Sequence, residues 1–482
     1  METFANYIEG CWKTPSTNQY YPRANPARPS QELGMYPLSS PEDVDAAVQA
    51  ATRAAKNWRD VPGPQRAVLL GQFADRLEDA KEEIARLLTL EQGKTLREAV
   101  GEVSRAVVET RYAAGEASRI FGQTYPSEQT RVSCQTELEP LGVVAAISPW
   151  NFPVVSPIRK IAPALAFGNT VVFKPASYTP RTAVRLVELF DKVGFPVGVV
   201  NLVMGDGKTV GRAIAGDPRV AGISFTGSTE IGTSIYMQAA ARLARVQLEL
   251  GGKNPAVVWH YADLDGAADE IVSAAFLCSG QRCTALSRVL VSNEEADALV
   301  ERLAERIAKI RVGDGLQESS TMGPLVSGSQ LQTVQDYVRR GLEAGDKLIA
   351  GGQVLVKSPE EEGYFHAPTL FDHVDPESPL ATDEIFGPVL PVLRVSSFDE
   401  AIKIANGTQY GLAAAVFSDE MHLIRRFTKE VKVGMIHVNH GTASQAHVPF
   451  GGVKSSGQGP YSIGPTNKEF YTNIKTVYIR WE

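Results

Sequence analysis

A cysteine in a polar, glycine-containing turn is the first residue able to do covalent chemistry. Gly280-Gln281-Arg282-Cys283-Thr284-Ala285 follows an apolar helical run and presents a small, soft nucleophile that acts as its thiolate. Taken alone it reads equally as a packing residue, and Cys278, beside Phe276 and Leu277, reads as core. Leu248-Glu249-Leu250-Gly251-Gly252-Lys253-Asn254-Pro255 ends an apolar strand with a glutamate. The two glycines after it permit a tight turn, so Glu249 projects into a cleft or closes a salt bridge. In Ser148-Pro149-Trp150-Asn151-Phe152-Pro153, an ordered loop wedged between apolar strands, Asn151 offers a neutral amide donor or closes its own turn.

Three further stretches stand at strand ends or turns. Phe173-Lys174-Pro175-Ala176-Ser177 is a strand that ends in a lysine, which is otherwise a solvated charge. Phe225-Thr226-Gly227-Ser228-Thr229 runs from a strand through a glycine turn into a helix, where free N–H groups and a serine hydroxyl make an anion site or an ordinary N-cap. Glu384-Ile385-Phe386-Gly387-Pro388-Val389 by itself is a turn. The G-x-G-x-x-G fingerprint of ordinary dinucleotide folds is absent, and Gly205-Asp206-Gly207 does not complete it.

These residues need a frame. Ser40-Pro41-Glu42-Asp43 predicts an N-cap and a first helical turn. A second amphipathic helix is expected from about Pro64 to Gly93, and helical pattern continues from Thr95 to Arg119. From Thr136 onward short apolar runs alternate with helices, which implies a mostly parallel sheet covered on both faces. The alternation restarts after Gly251-Gly252, with a strand at Ala256–Trp259, a helix at Gly266–Leu277 and a strand at Val289–Val291. Two segments, about 122–139 and 468–482, alternate polar and β-forming residues and fit neither half. Such strands need covering, and a partner subunit is the usual cover.

Bulk properties exclude several classes. A chain of 482 residues exceeds one ordinary core, so two or three domains are expected. A net charge of -7, spread rather than blocked, argues against nucleic acid or an anionic membrane as partner. The most apolar stretch, Leu141 to Phe173, is interrupted by prolines and carries Arg159 and Lys160, so it does not read as a membrane span. Met1 to Lys13 has no signal-peptide pattern. The cysteines, Cys11, Cys134, Cys278 and Cys283, are too few for a disulfide framework and lack metal-ligand spacing. A reduced, cytoplasmic setting is expected.

Together, in this order and spacing, the chain resembles the aldehyde dehydrogenase superfamily over nearly its full length. Pro163-Ala164-Leu165-Ala166-Phe167-Gly168-Asn169, Asn406-Gly407-Thr408-Gln409-Tyr410-Gly411-Leu412 and Pro449-Phe450-Gly451-Gly452-Val453-Lys454 add to the match. The resemblance implies an α/β fold. A Rossmann-type cofactor domain would take residues 1–121 and 140–251, an α/β catalytic domain 252–450, and a small β oligomerisation arm 122–139 and 468–482. It implies a homodimer or homotetramer. It also implies that Cys283 attacks the aldehyde carbon, that Asn151 and the Cys283 N–H hold the oxyanion, and that Glu249 activates water against the thioester. NAD or NADP would lie against Ile147, Ser148, Trp150, Lys174, Ser177, Gly207, Gly211, Phe225, Gly227, Ser228, Leu250, Glu384 and Phe386. Relatives that release acyl-coenzyme A lack the glutamate, so Glu249 implies a free acid as product.

Ser177 stands where relatives strict for NAD often hold glutamate, so NADP is expected to be accepted, along with NAD. Arg159, eight residues after Asn151, matches the arginine that holds the distal carboxylate in succinate-semialdehyde relatives. Arg282, Gln445 and Phe450 are further candidates for the aldehyde pocket. The second arginine of that group is replaced here by Leu277, and the loop His440–His447 looks more like relatives acting on 2-oxoglutarate semialdehyde. A guanidinium pairs bidentately with carboxylate, sulfonate or phosphate; otherwise Arg159 salt-bridges a nearby acid and Arg282 bonds backbone. The expected substrate is a small semialdehyde with a distal acid, 2-oxoglutarate or succinate semialdehyde. The alternatives are a neutral, a sulfonated or a phosphorylated aldehyde, and a catalytically silent scaffold.

Overall fold

A computed structural model describes residues 2–355 and 362–482. The expected N-cap is present: Ser40 opens the helix Pro41–Trp58 with a capping box completed by Asp43. The helix expected from Pro64 to Gly93 is instead two, Gly63–Asp79 and Lys81–Gln92. They part at Ala80, whose N–H turns back to the carbonyls of Arg76 and Glu78, with no proline or glycine to mark the break. The next helix, Leu96–Ala117, has a capping box between Thr95 and Glu98.

Two sheets dominate. The first runs in the order Gly457–Gln458, Arg245–Glu249, Val220–Thr226, Val143–Ile147, Thr170–Lys174, Val200–Leu202, Asn6–Ile8 and Cys11–Lys13. Its five central strands are parallel and its outer ones antiparallel. The order reverses between Val143–Ile147 and Val220–Thr226: strands later in the chain are added first on one side, then on the other. A crevice opens at such a switch point, outside the carboxyl ends of the strands. Here those ends are Ile147-Ser148 and Thr226-Gly227.

The second sheet runs Lys347–Ala350, Thr369–Asp372, Val389–Val395, Leu286–Ser292, Asn254–Val258, Ala413–Phe417 and Met435–Val438, parallel except at its first strand. Residues 250–253 carry the chain from the carboxyl end of one sheet directly into the amino end of the other. The functional turns therefore gather where the two sheets meet end to end. Buried apolar clusters back both faces of each sheet, so the central strands are buried on both sides.

The β-forming stretch Thr136–Ile147 belongs to two strands, Val132–Pro140 and Val143–Ile147. Val132–Pro140 leaves the main sheet and pairs antiparallel with Thr472–Arg480, from Thr472 opposite Pro140 to Arg480 opposite Val132. Thr124–Tyr125 adds a short third strand. This arm exposes Tyr125, Ile474, Tyr478 and Trp481. Among the described residues no helix is long and apolar enough to cross a membrane.

Candidate functional site

The helix Leu264–Phe276 leads into the Cys283 turn through three successive left-handed residues, Cys278, Ser279 and Gly280. Left-handed backbone is strained for a side-chain-bearing residue, so neighbours must hold it. Gln281 does so from inside: its Nε2 donates to the Cys278 carbonyl and its Oε1 accepts the Val326 N–H. Asn254, first residue of its strand, donates to the carbonyls of Cys283 (2.7 Å) and Ala285 (2.8 Å). Thr442 donates to the Thr284 carbonyl. The turn is fixed at several points while the Cys283 side chain stays open to a cavity.

That cavity measures about 1210 Å³. Cys283, Glu249, Asn151, Arg159, Arg282 and Phe450 line it, so the structure gathers six of the seven residues expected to act on or bind the aldehyde. Asn151 donates its side-chain amide to the Gln281 carbonyl at 3.0 Å, joining its loop to the Cys283 turn. Glu249 is buried at the end of its strand, and among the described residues its Oε1 has no hydrogen-bond partner. Burial raises the Glu249 pKa above the ordinary carboxylate value, opposed by Cys283, Lys160, Arg159 and Thr226. Burial also pushes the Cys283 thiol well above its usual range, and the neighbouring Glu249 charge adds to the effect. A buried thiol and carboxyl side by side take up or lose protons as a coupled pair.

Positive groups surround this pair. Lys160 is buried, pushed down to about 8 by desolvation, and donates to Thr226 Oγ1 at 2.6 Å. Arg159 meets Glu109 through Nε (2.9 Å) and Nη2 (2.9 Å), donates to Ser444 Oγ at 3.2 Å, and stacks over the Phe450 ring. Arg159 thus has the acid partner of one reading, and it also lines the cavity. Arg105, one helical turn before Glu109, donates Nε to the same carboxylate at 2.8 Å and also lines the cavity. One carboxylate therefore stands between two guanidinium groups, leaving the cluster a net cation. Arg282 bonds only neutral acceptors among the described residues, Thr284 Oγ1 and the Thr442 carbonyl.

Gln445 is exposed and does not line the cavity, whereas its neighbour Ser444 does. His447 is exposed as well, and His440 Nδ1 bonds the Gly441 carbonyl. Arg105, Glu109, Ser444 and Lys160 were not singled out from the sequence. Arg105 and Glu109 sit four apart on a helix, a spacing that reads as an ordinary surface pair; the long reach of Glu109 to Arg159 is invisible without the fold.

The residues expected to hold a dinucleotide occupy the switch-point crevice and its rim. Ile147 and Ser148 end one strand; across the crevice Gly227 and Ser228 lead into the helix Thr229–Ala240, whose N-cap is Ser228. That helix end offers N–H groups and dipole charge to a phosphate. Lys174 is buried at the end of the next strand and lowered to about 8 by desolvation; its ammonium donates to the Pro175 carbonyl. Gly207 and Gly211 bound a π-helical turn, and a Cβ on Gly211 would lie against the Lys174 side chain. Ser177 donates to the Gly205 carbonyl. Trp150 packs edge-on against both Tyr178 and Phe386. Glu384, raised to about 7 by burial, accepts the Gly252 N–H at 2.9 Å. A Cβ on Gly251 would stand 2.1 Å from a Glu384 oxygen, so a larger residue there would displace that carboxylate. Phe225 and Leu250 are buried beside this rim. An anion site, a strand-end lysine, an aromatic wall and a carboxylate in this order fit an extended nicotinamide dinucleotide.

The geometry can therefore bring a thiol, a carboxyl and an amide donor to one carbonyl group. The model of the aldehyde dehydrogenase family matches residues 12–477. The chain is 41% identical over 481 residues to the alpha-ketoglutaric semialdehyde dehydrogenase of Bacillus subtilis (strain 168), covering 100% of this chain and 99% of that one. It is 39% identical over 478 residues to the malonate-semialdehyde dehydrogenase of the same organism, covering 99% and 97%. Among solved structures it is similar to 3,6-anhydro-L-galactose dehydrogenase in complex with NADP, with a TM-score of 0.97 and 36% identity over 99% of this chain and 100% of that one.

The coupling of Cys283 and Glu249 is open to measurement. Glu249→Gln removes a charge that raises the thiol pKa, so alkylation of the Cys283 peptide by iodoacetamide should reach half its plateau rate at lower pH than in wild type. A midpoint that stays put or moves up contradicts the coupling.

Proposed function

The chain belongs to the aldehyde dehydrogenase family, and on that premise we propose that it oxidises a small semialdehyde carrying a distal carboxylate to the free acid. The preferred substrate is 2-oxoglutarate semialdehyde. Cys283, as thiolate, adds to the aldehyde carbon, and the oxyanion formed is held by the Asn151 amide and the Cys283 N–H. Bound NAD(P) supplies the hydride acceptor, held by Lys174, Ser177, Ser228, Trp150, Glu384 and Phe386. Cys283 then carries the acyl group as a thioester. Glu249 takes a proton from water as that water attacks the thioester carbonyl, and the thiolate leaves. The raised pKa of Glu249 suits a base that must hold a proton briefly in a dry pocket. Ser177 places no carboxylate against a 2′-phosphate, which supports use of NADP beside NAD.

The carrying observation for the substrate is the Arg105–Glu109–Arg159 cluster, with one carboxylate against two guanidinium groups on the cavity wall. A distal carboxylate completes the charge balance. Arg282 faces the same cavity with neutral partners only and adds to the field. The relative named for alpha-ketoglutaric semialdehyde supports this reading. The relative named for malonate semialdehyde favours a shorter acid as the second reading; the ratio of kcat/KM on the two semialdehydes decides between them.

Arg159→Ala leaves Glu109 neutralised by Arg105, and Arg105→Ala leaves it neutralised by Arg159, so each variant keeps a balanced pair and loses only the excess charge. A partly buried charged contact contributes about 2–5 kcal/mol. Each variant should lose roughly thirtyfold or more in kcat/KM on 2-oxoglutarate semialdehyde while staying within about threefold of wild type on propanal. Parallel losses on both substrates contradict the anion role.

The paired arm, with Ile474 72% and Tyr478 71% exposed, supports a homodimer or a dimer of dimers built through its outer face. Ile474→Glu with Tyr478→Glu should lower the molar mass found by light scattering relative to wild type. An unchanged mass contradicts the arm's role. Free thiols at all four cysteines suit a reducing, cytoplasmic setting.

A further inference from the structure

The turn that joins the helices Lys81–Gln92 and Leu96–Ala117 lies between the two sheets, and the chemistry proposed above assigns it no part. Lys94, at this turn, is fully buried, yet it is a charged residue. Its ammonium donates to Glu102 Oε2 at 2.6 Å and to the backbone carbonyl of Asn151 at 2.8 Å, and it stands over the Phe152 ring. The other oxygen of Glu102 accepts the N–H groups of Val154 (2.8 Å) and Val155 (3.1 Å). Those N–H groups open the helix Val155–Ala166, and Val154 at its N-cap has no side chain able to cap it. One carboxylate thus holds the helix start, and its lysine partner holds the carbonyl three residues earlier. Glu98 on the same helix accepts the Cys278 N–H at 2.7 Å, at the left-handed start of the Cys283 turn.

The backbone around Lys94 leaves it no freedom. A Cβ on Gly315 would stand 2.3 Å from the Lys94 carbonyl oxygen, and one on Gly323 would stand 2.0 Å from that of Gly93. The Leu96 N–H donates to the Gly315 carbonyl. Residues of the second sheet's loops thus grip the turn from one side while Lys94 and Glu102 grip the Asn151 loop on the other.

We propose that Lys94 and Glu102 are positioning residues for Asn151: a buried ion pair that sets the loop, and so the amide donor, against the Cys283 turn. The proposal rests on Asn151 being the oxyanion donor. A buried ion pair is a costly way to hold a loop if stability alone is at issue, since apolar residues of similar volume often serve as well. What it supplies here is direction. Three donors converge on one carboxylate, and the ammonium fixes a carbonyl that no neighbouring N–H reaches among the bonds described.

The test is Lys94→Met alone and in an Asn151→Ala background, with iodoacetamide alkylation of Cys283 as the second readout, because alkylation forms no oxyanion. Removing an oxyanion donor costs roughly 100-fold or more in kcat. Lys94→Met should lose a comparable, smaller or equal factor in kcat, with substrate KM within about threefold and alkylation within about twofold of wild type. In the Asn151→Ala background the same substitution should change kcat by less than about twofold, since the group it positions is gone. Lys94→Arg, which keeps charge and donors, should recover part of the loss. If Lys94→Met does not fold, because Glu102 is left unpaired, the neutral pair Lys94→Met with Glu102→Gln takes its place in the same cycle. Losses that multiply in the double background, or alkylation that falls in step with turnover, overturn the proposal. If Asn151→Ala itself keeps full activity, the oxyanion reading falls with it; if only Lys94→Met keeps full activity, the positioning role falls alone.

Discussion

A thiol and a carboxyl buried side by side can hold only one negative charge at low cost. Desolvation pushes both Cys283 and Glu249 toward their neutral forms; the Glu249 charge raises the thiol pKa further, while the hydrogen bond from Cys283 lowers that of Glu249. Much of the surrounding structure answers that constraint. The nearest amide, Asn151, is neutral and cannot take the proton, so it donates to an oxygen without entering the proton balance. Lys160 and Arg159 bring positive charge close enough to lower the Glu249 pKa while Thr226 and Glu109 hold them off as hydrogen-bond acceptors. A site arranged this way accommodates a single negative charge on sulfur, on oxygen or on the carboxylate at any one time.

The two groups come together because the fold places its sheets end to end. A strand that finishes at Glu249 and a turn of four residues, 250–253, bring its carboxyl to the amino edge of the sheet that carries Cys283. The amide comes from a third place, the loop after Val143–Ile147, and its bond to the Gln281 carbonyl closes the gap. Loops from two sheets do not keep sub-ångström register unaided. Asn254 on one side, and the Lys94–Glu102 pair on the other, are buried polar groups whose hydrogen bonds go to backbone of these loops. Their cost in desolvation is offset where precision is needed.

What was legible in the sequence follows from how far each residue's partners lie along the chain. The placement of Glu249 before two glycines, and of Ser228 at a strand-to-helix turn, is legible locally, because the backbone conformation is written in their neighbours; what either side chain does there is not. Cys283 was legible only jointly with other motifs, since a lone cysteine is usually packing. Arg159 was singled out only through the resemblance to semialdehyde relatives, and its partner Glu109 stands 50 residues earlier, so its shared ion pair was not legible. Lys94 and Glu102 contact the Asn151 loop across more than fifty residues and look like ordinary helix-start charges in the sequence. Gln445 and Ser444 differ by one position in an irregular loop, where no periodicity says which side chain turns inward. The break at Ala80 was hidden because the apolar pattern continues across it.

The central claim is that Cys283 carries the acyl group and that Glu249 releases it. The most direct measurement is peptide mass analysis of Glu249→Gln after mixing with 2-oxoglutarate semialdehyde and NAD(P). The account predicts a stoichiometric acyl adduct on the Cys283 peptide that is cleaved by hydroxylamine and requires the cofactor. Undiminished turnover without an adduct, or an adduct on another residue, would contradict it.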